Sequence, residues 1–393
     1  MLNTKFKSWP SFTSKEANAI RKVLISNKVN YWTGNECREF EKEFAVWSNS
    51  KYAIAVANGT LALDSSFKAL KIGAGDEVIV TARTYIASVT SIINAGATPI
   101  FADVDLNSQN ITFKSVRSKI TKKTKAIVCV HLAGWPCEMD EIMNLAKKFN
   151  LYVIEDCSQA HGARYKGKPV GSIGDIGCWS FCQDKIMTTG GEGGMITTNN
   201  KSLWSLMWSY KDHGKSYEAI YERKQPDGFG FKWVNESFGT NWRMTEMQGV
   251  IGRIQLKKML NWQKKRIKNA NEIWNSVKNC KSLNVPNIPN YIDHAGYKCY
   301  VFVNPKELKK EWSRDKIVNE INLLGVPCYT GVCPEVYLEK AFDNTQFKPK
   351  ERLTNAKKLG NTSLMFLIHP TLTKKEIKKT CNAINSVMKL ASQ

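Results

Sequence analysis

The sequence lacks any long uninterrupted apolar run, since no apolar stretch approaches the roughly 18 residues that a membrane-spanning helix requires. Residues 1–10 also lack the apolar core of a secretory signal sequence. These two absences argue against membrane insertion, and we expect a protein located in the cytoplasm.

Disulfide and metal-binding patterns are missing as well. The cysteines are odd in number, at 11, and no two of them form a Cys-x-x-Cys pair. Most lie in apolar runs, which is typical of reduced, packed thiols rather than of a disulfide framework or a zinc site. The histidines have no metal-ligand spacing, and we assign none of them to a metal. They are His131, His161, His213, His294 and His369.

Acidic residues are scarce, because 35 Asp and Glu stand against 57 Lys and Arg, a formal net charge of +22. Such an excess of basic residues favours the binding of polyanions, but these residues are spread along the chain rather than clustered. We therefore interpret the excess as a solvated basic surface that suits an anionic small substrate, and we expect no nucleic acid partner. A basic regulatory or nucleic-acid-binding protein is the alternative from another class.

The chain does contain short apolar runs that alternate with helical patterns. Apolar strands separated by amphipathic helices pack into a mostly parallel sheet flanked by helices, so we predict an α/β fold. Thr13 and Glu16 have the spacing of a capping box and predict a first helix. The predicted strands are residues 52–57, 77–81, 98–102, 126–130 and 151–154, and the helices between them are residues 61–70, 86–95 and 139–149.

The pattern changes after Gln255, where a long basic helix is predicted over residues 256–277. We therefore predict a large α/β domain over residues 1–255 and a smaller C-terminal α+β domain over residues 256–393. In such folds, ligands bind beyond the carboxyl ends of the strands. We look for a site there.

Lys185 is the most informative residue. It follows the apolar residues Trp179 and Phe181 and precedes a glycine-rich segment at residues 190–194. A lysine is usually a solvated surface residue, but this setting predicts an amine held in a binding site. Such an amine can condense with the aldehyde of pyridoxal phosphate (PLP) and can later carry a proton between cofactor and substrate. We predict that Lys185 is catalytic.

Asp156 ends an apolar strand and can pair with the pyridine nitrogen of the cofactor, although strand-end aspartates also serve as turn or cap residues. Gln159 can donate to the phenolic oxygen of the ring or make a structural loop hydrogen bond. Tyr85 can stack on the ring or belong to the core. We predict that all three bind the cofactor.

Gly59 and Thr60 lie between a predicted strand and helix. The free amides at a helix start and the Thr60 hydroxyl suit a phosphate group, and Gly59 allows the backbone to approach it closely. Ser180 adds a second hydroxyl from the strand that leads to Lys185. A tight turn alone would also explain Gly59 and Thr60, but we predict that the three residues bind the cofactor phosphate.

With these motifs the chain resembles, over nearly its whole length, the DegT/DnrJ/StrS-type PLP-dependent nucleotide-sugar aminotransferases. The matching segments include Tyr31-Trp32-Thr33-Gly34, Ala57-Asn58-Gly59-Thr60, Val130-His131-Leu132-Ala133-Gly134, Ile154-Glu155-Asp156-Cys157-Ser158-Gln159, Gly191-Glu192-Gly193-Gly194 and Asn241-Trp242-Arg243-Met244-Thr245-Glu246-Met247-Gln248. The resemblance implies the aspartate aminotransferase fold, which is fold type I of the PLP-dependent transferases.

The resemblance also implies a homodimer with active sites at the subunit interface, where Asn241 reaches the cofactor phosphate of the neighbouring subunit. It implies that L-glutamate converts PLP to pyridoxamine phosphate, which then aminates a nucleotide-linked ketosugar. The substrate expected from the resemblance is dTDP-4-keto-6-deoxy-D-glucose, aminated at C-4 for O-antigen or another glycan.

A 3-keto sugar is an alternative, because residues 328–335 depart from the His-Tyr-Pro form of many family members. Tyr329 in this segment is a candidate substrate contact. A PLP-dependent sugar dehydratase is a further alternative. One such relative carries histidine in place of the lysine, however, so Lys185 favours transamination.

Overall fold

A computed structural model describes residues 6–223 and 233–393 of the chain. The strands are β1 (Tyr52–Val56), β2 (Glu77–Thr81), β3 (Thr98–Ala102), β4 (Thr124–Val130), β5 (Tyr152–Asp156), β6 (Arg164–Tyr165), β7 (Lys168–Pro169), β8 (Ile176–Ser180), β9 (Gly194–Thr198), β10 (Leu283–Asn284), β11 (Ile292–Asp293), β12 (Cys299–Val303), β13 (Cys328–Tyr329) and β14 (Ser363–Phe366).

The α-helices are α1 (Ser14–Ile25), α2 (Glu36–Trp47), α3 (Gly59–Ala69), α4 (Ala87–Asn94), α5 (Phe113–Arg117), α6 (Met139–Phe149), α7 (Lys201–Tyr210), α8 (Tyr217–Tyr221), α9 (Glu246–Leu256), α10 (Met259–Val277), α11 (Arg314–Leu323), α12 (Thr354–Thr362) and α13 (Lys374–Ala391). None of the helices in residues 6–223 and 233–393 has the length and apolar content needed to cross a membrane.

The large sheet has seven strands in the order β1-β9-β8-β5-β4-β2-β3. The pairs from β8 to β3 are parallel, and β9 runs antiparallel to both β1 and β8. The predicted α/β fold with a mostly parallel sheet is therefore confirmed. The five predicted strands correspond to β1 through β5, whereas β9 was missed because its glycine-rich start resembles a loop.

Local sequence signals account for the helices around this sheet. Thr13 precedes α1, and its backbone N–H donates to the Glu16 carboxylate at 3.0 Å, as the capping box predicts. Asn58 caps α3 by accepting a hydrogen bond from the N–H of Leu61 at 3.0 Å. The cap fixes where α3 begins, directly after β1.

A second hydrophobic core lies in the C-terminal part of the chain. It is built on the four-stranded sheet β10-β12-β14-β13 and includes buried residues of α10, α11 and α13. Tyr300 and Phe302 of β12 point to the opposite side and join a core shared with β2 and β4. A core on its own sheet agrees with a separate C-terminal domain, but the boundary at residue 255 stays a prediction.

Candidate active site

A cavity of about 540 Å³ lies at the carboxyl ends of β1, β2, β5 and β8. Its lining residues are Asn58, Gly59, Thr60, Leu61, Leu63, Thr84, Tyr85, Ala87, Ser88, Asp156, Ser158, Gln159, Ser180, Cys182, Asp184, Lys185 and Glu192. Seven of the predicted site residues are therefore brought together, although they come from segments far apart in the sequence. Asn241 and Tyr329 do not line the cavity.

Lys185 lies in the loop that follows β8. Its backbone N–H donates to the carbonyl of Cys182 at 3.1 Å, and its own carbonyl accepts from the indole N–H of Trp9 at 2.7 Å. Its side chain is only 16% exposed, and the Nζ atom lies 3.6 Å from Oδ1 of Asp184. The lysine amine is thus held in the cavity and is not a solvated surface group.

Asp156 is the last residue of β5, and its carboxylate is fixed by two hydrogen bonds. Ser88 Oγ donates to Oδ2 at 2.7 Å, and the N–H of Ser158 donates to Oδ1 at 3.1 Å. Thr84 Oγ1 is 3.0 Å from Ser88 Oγ and extends this network. Sequence reasoning missed Ser88 and Thr84, because short hydroxyl residues near a helix start also serve as ordinary caps.

Gln159 is held at its oxygen, where Oε1 accepts from the N–H of Ala133 at 2.9 Å. Ala133 has a φ of 58°, a left-handed conformation that is uncommon for alanine. Because the oxygen is engaged by the backbone, the amide NH2 group is the part of Gln159 left to donate to a ligand. This orientation agrees with the predicted donor role.

The phosphate end of the predicted site is formed by the start of α3 and the end of β8. A Cβ atom on Gly59 would lie 2.6 Å from Cβ of Ser180, so no side chain fits between the two segments. Ser180 Oγ accepts from the N–H of Cys182 at 3.3 Å, which orients the hydroxyl. The first turn of α3 supplies unpaired amides. These donors fit a bound phosphate group.

Tyr85 lies at the rim of the cavity, two residues before α4, with 66% of its surface exposed. It is therefore not a core residue in this chain, which argues against the alternative that it serves only packing. A ring on the rim remains available to stack on a ligand.

Asn241 and Tyr329 lie outside the cavity. Asn241 is exposed and forms an antiparallel bridge with Asp212. Tyr329 is on β13 with 39% exposure. The segment that contains it reaches the cavity rim indirectly, because the N–H of Val336 donates to the carbonyl of Ala82 at 3.0 Å, just before Thr84. The roles given to Asn241 and Tyr329 stay predictions.

Glu155 forms a buried polar cluster behind Asp156. Its carboxylate accepts from three backbone N–H groups within residues 171–174, at 2.7 to 2.9 Å, and lies 3.0 Å from Nε2 of His131. Cys157 is close enough to complete a potential metal-ligand set. The carboxylate is already saturated by N–H groups, so the cluster is explained by its hydrogen bonds, which fix the end of β5.

Asp184 and Tyr297 form a contact that the sequence did not predict. The Tyr297 hydroxyl donates to Asp184, and the Lys185 ammonium lies 5.5 Å from the centre of the Tyr297 ring. Burial acts to raise the pKa of the Asp184 carboxyl, but Lys185, Tyr297 and Lys298 together hold that pKa below its ordinary value. The aspartate next to the predicted catalytic lysine therefore favours its charged form.

Comparisons with known proteins show the family and the fold of this chain. The sequence model of the DegT/DnrJ/EryC1/StrS aminotransferase family matches residues 10–385. GDP-perosamine synthase of Escherichia coli O157:H7 is 44% identical over 248 residues, which cover 63% of this chain and 64% of that protein. The match thus spans just under two thirds of that relative.

Two further comparisons cover nearly the whole chain. The dTDP-3-amino-3,6-dideoxy-alpha-D-galactopyranose transaminase of Aneurinibacillus thermoaerophilus is 33% identical over 369 residues, 93% of each protein. The solved aminotransferase structure from Psychrobacter cryohalolentis has a TM-score of 0.96 and 62% identity, and the match covers 98% of this chain and 99% of that one. The expected fold of PLP-dependent aminotransferases is confirmed.

Proposed function

Since the chain belongs to the DegT/DnrJ/EryC1/StrS aminotransferase family, we propose that it transfers the amino group of L-glutamate to a nucleotide-linked ketosugar. The family makes it a sugar aminotransferase with pyridoxal phosphate as cofactor. The bound cofactor supplies an aldehyde that carries the amino group between the two substrates and a ring that accepts electron density from the reacting carbon.

The proposal is carried by one observation: a single cavity contains an amine, a fixed carboxylate and a helix start lined with hydroxyls. These are the three groups that hold the aldehyde, the ring nitrogen and the phosphate of this cofactor. Lys185 fits the first role, Asp156 the second, and Gly59 with Thr60 and Ser180 the third. The residues present therefore fit the cofactor.

We assign the proton transfers to Lys185. Its Nζ is attached to the side chain that enters the cavity, where it can take a proton from the reacting carbon and return it to a neighbouring one. The hydrogen bonds of the Lys185 backbone to Cys182 and Trp9 fix the loop and leave the four-carbon side chain free to swing. This combination suits a group that must act at two carbons.

Asp156 and Gln159 are assigned to two different groups of the cofactor ring. Ser88 and the Ser158 N–H hold the Asp156 carboxylate in one orientation, so that it can pair with the ring nitrogen. Gln159 offers its NH2 group to the phenolic oxygen, because its own oxygen is taken by Ala133. Tyr85 on the rim is assigned to stacking on the ring.

For the acceptor we propose dTDP-4-keto-6-deoxy-D-glucose, aminated at C-4 for O-antigen or another glycan. The diphosphate suits a chain with a formal net charge of +22. GDP-linked 4-keto-6-deoxymannose is the second sugar to test, because one relative is named as a GDP-perosamine synthase. A 3-keto sugar is the third, since another relative is named for a 3-amino product. Tyr329 is proposed to contact the sugar.

We further propose a homodimer in which Asn241 completes the partner's site. Asn241 is exposed and lies outside the cavity of its own subunit. Nearby Phe238 is fully exposed and Trp233 is 82% exposed, which an isolated subunit would leave as apolar surface in water. A second copy of the chain would cover these rings if the subunit interface lay at this segment.

The function is tested with purified enzyme, L-glutamate and a panel of dTDP-, GDP- and UDP-linked 3-keto and 4-keto sugars. We expect glutamate to bleach the visible absorbance of the bound cofactor, and one ketosugar nucleotide to restore it with formation of an aminosugar. Mass analysis of the product separates the alternatives: an aminosugar supports transamination, whereas a deoxygenated product without added nitrogen supports a dehydratase and overturns the proposal.

The shared site is tested by mixing subunits. Lys185→Ala and Asn241→Ala dimers are each expected to be nearly inactive, but hybrid dimers contain one site with both residues intact. Mixing the two variants under exchange conditions should therefore restore activity, up to about half of the wild-type value per hybrid dimer. No gain on mixing, despite proven exchange, would place Asn241 in its own subunit's site.

A further inference from the structure

We propose that Asp184, held by Tyr297, is a positioning residue that keeps the Lys185 amine inside the cavity while no covalent bond holds it. This inference rests on the proposed function of Lys185, which must wait as a free amine between the two halves of the reaction. It assigns a role to two side chains outside the cofactor-binding set.

The geometry of the Asp184 carboxylate carries the argument. One oxygen, Oδ2, accepts the Tyr297 hydroxyl, and the other, Oδ1, lies 3.6 Å from Nζ of Lys185. At that distance the carboxylate attracts the ammonium without locking it into a hydrogen bond. Lys185 is thus drawn toward one place in the cavity and can still leave it to reach a reacting carbon.

Tyr297 is suited to fix this carboxylate. It is 6% exposed, and both burial and the neighbouring Asp184 raise its pKa well above the ordinary value, so the hydroxyl remains a donor. Its ring also lies beneath Lys185 Nζ, 5.5 Å from the ring centre, and Lys298 Nζ lies 4.8 Å from the same centre. The ring therefore attracts both cations.

Other charged and titratable groups surround Asp184 and Lys185. They are Lys298 beside Tyr297, Arg266 on α10, His161 beneath the β8 loop, and Cys182, Glu192 and Asp156 in the cavity wall. Burial lowers the pKa of His161 to about 3, so its ring is neutral. Lys298 and Arg266 remain as cations that repel an ammonium at Lys185, and Asp184 opposes them.

The physical consequence is a restraint on where the Lys185 amine rests. An opposite charge at this distance attracts the ammonium, and the attraction is weaker where water screens the pair. Asp184 is 58% exposed at its side chain, so the attraction is modest. Removing the charge should release the amine from this place in the cavity and make it easier for a reagent to reach.

The test measures Lys185 directly in the apoenzyme of the full chain. Competitive labelling with acetic anhydride at one fixed pH, read at Lys185 by peptide mass spectrometry, gives the reactivity of this amine relative to the other lysines. We expect Asp184→Asn to raise this reactivity about two- to fivefold and Tyr297→Phe to raise it by less. Asp184→Glu, which keeps the charge, should restore most of the difference.

Asp343→Asn is the matched control, because it removes the same charge from an exposed pair with Lys348 that does not line the cavity. It should leave the reactivity of Lys185 unchanged. An unchanged Lys185 reactivity in folded Asp184→Asn, judged by thermal unfolding, overturns the inference and leaves the proposed function intact. If Lys185→Ala still develops the visible absorbance of bound cofactor, the proposed function itself fails.

Discussion

The cavity has two walls of different origin. One wall comes from residues at or shortly after the carboxyl ends of β1, β2, β5 and β8, and includes Gly59, Asp156 and Lys185. The other comes from distant parts of the chain, with Trp9 on the Lys185 carbonyl and Tyr297 on Asp184. The first wall supplies the groups that meet the cofactor, and the second holds those groups in place.

The comparison predicts that changes in the strand-end wall abolish chemistry, whereas changes in the distant wall alter the placing of Lys185 or the stability of the fold. The most severe test of the first half of this statement is Lys185→Ala. Because Lys185 is the one amine among the described residues that line the cavity, we expect turnover to fall by about 1,000-fold or more and the visible absorbance to be lost. Absorbance spectra and single-turnover assays measure both. Turnover near the wild-type rate would contradict the assignment.

Asp156→Asn is expected to have the second largest effect. The amide keeps the shape and can still accept the hydrogen bond from Ser88, but it removes the negative charge that pairs with the ring nitrogen. We expect kcat to fall by about 100-fold with smaller loss of cofactor binding. Asp175→Asn, which alters a carboxylate outside the cavity, serves as the control and should retain most activity.

Gly59→Ala should act through the phosphate end alone. The added methyl group would lie 2.6 Å from Cβ of Ser180, so the start of α3 must move away from the end of β8. We expect a strain of about 1 to 3 kcal/mol and a roughly tenfold weaker affinity for the cofactor. Equilibrium dialysis measures the affinity of the variant for the cofactor. An unchanged affinity would mean that this turn does not bind the phosphate.

Glu335→Gln changes a carboxylate that does not line the cavity and should have the smallest effect on catalysis. Burial acts to raise the pKa of Glu335, but the hydrogen bonds of Arg352 and Tyr337 outweigh it and lower that pKa. A carboxyl with a lowered folded-state pKa adds stability above its unfolded pKa, and the gain is lost as the pH falls through the folded value. The wild type should therefore lose stability on acidification below about pH 4.5, and Glu335→Gln should flatten that dependence.

The measurement is thermal unfolding between neutral pH and pH 3. If Glu335→Gln keeps the full acid dependence of the wild type, other carboxyl groups are responsible. A large loss of kcat at neutral pH would instead show that the segment around Glu335 takes part in the chemistry.

The residues of the strand-end wall could be predicted from the sequence because the patterns that identify them are local. An apolar run that ends in Asp156, or a strand-to-helix turn at Gly59, identifies a ligand-facing position in an α/β fold. The same reasoning located β1 to β5 and helices α3, α4 and α6, since each has a clear period of apolar residues, but it did not predict the short α5 between β3 and β4. Lys185 followed from its apolar and glycine-rich neighbours.

The distant wall could not be found in this way. Tyr297 meets Asp184 across 113 positions of sequence, and an isolated tyrosine before a strand carries no sign of that partner. Ser88 is equally ordinary as a helical serine until the fold places it 2.7 Å from Asp156. Long-range contacts of this kind depend on how α10 and β12 pack against the large sheet, which periodicity does not specify.

The most direct test of the account is to find where the cofactor becomes covalently attached. The enzyme is loaded with pyridoxal phosphate, reduced with borohydride and digested, and the peptides are mapped by mass spectrometry. The account predicts a stoichiometric phosphopyridoxyl group on the peptide that contains Lys185. Attachment to another lysine, or none in a folded enzyme that binds the cofactor, would contradict it.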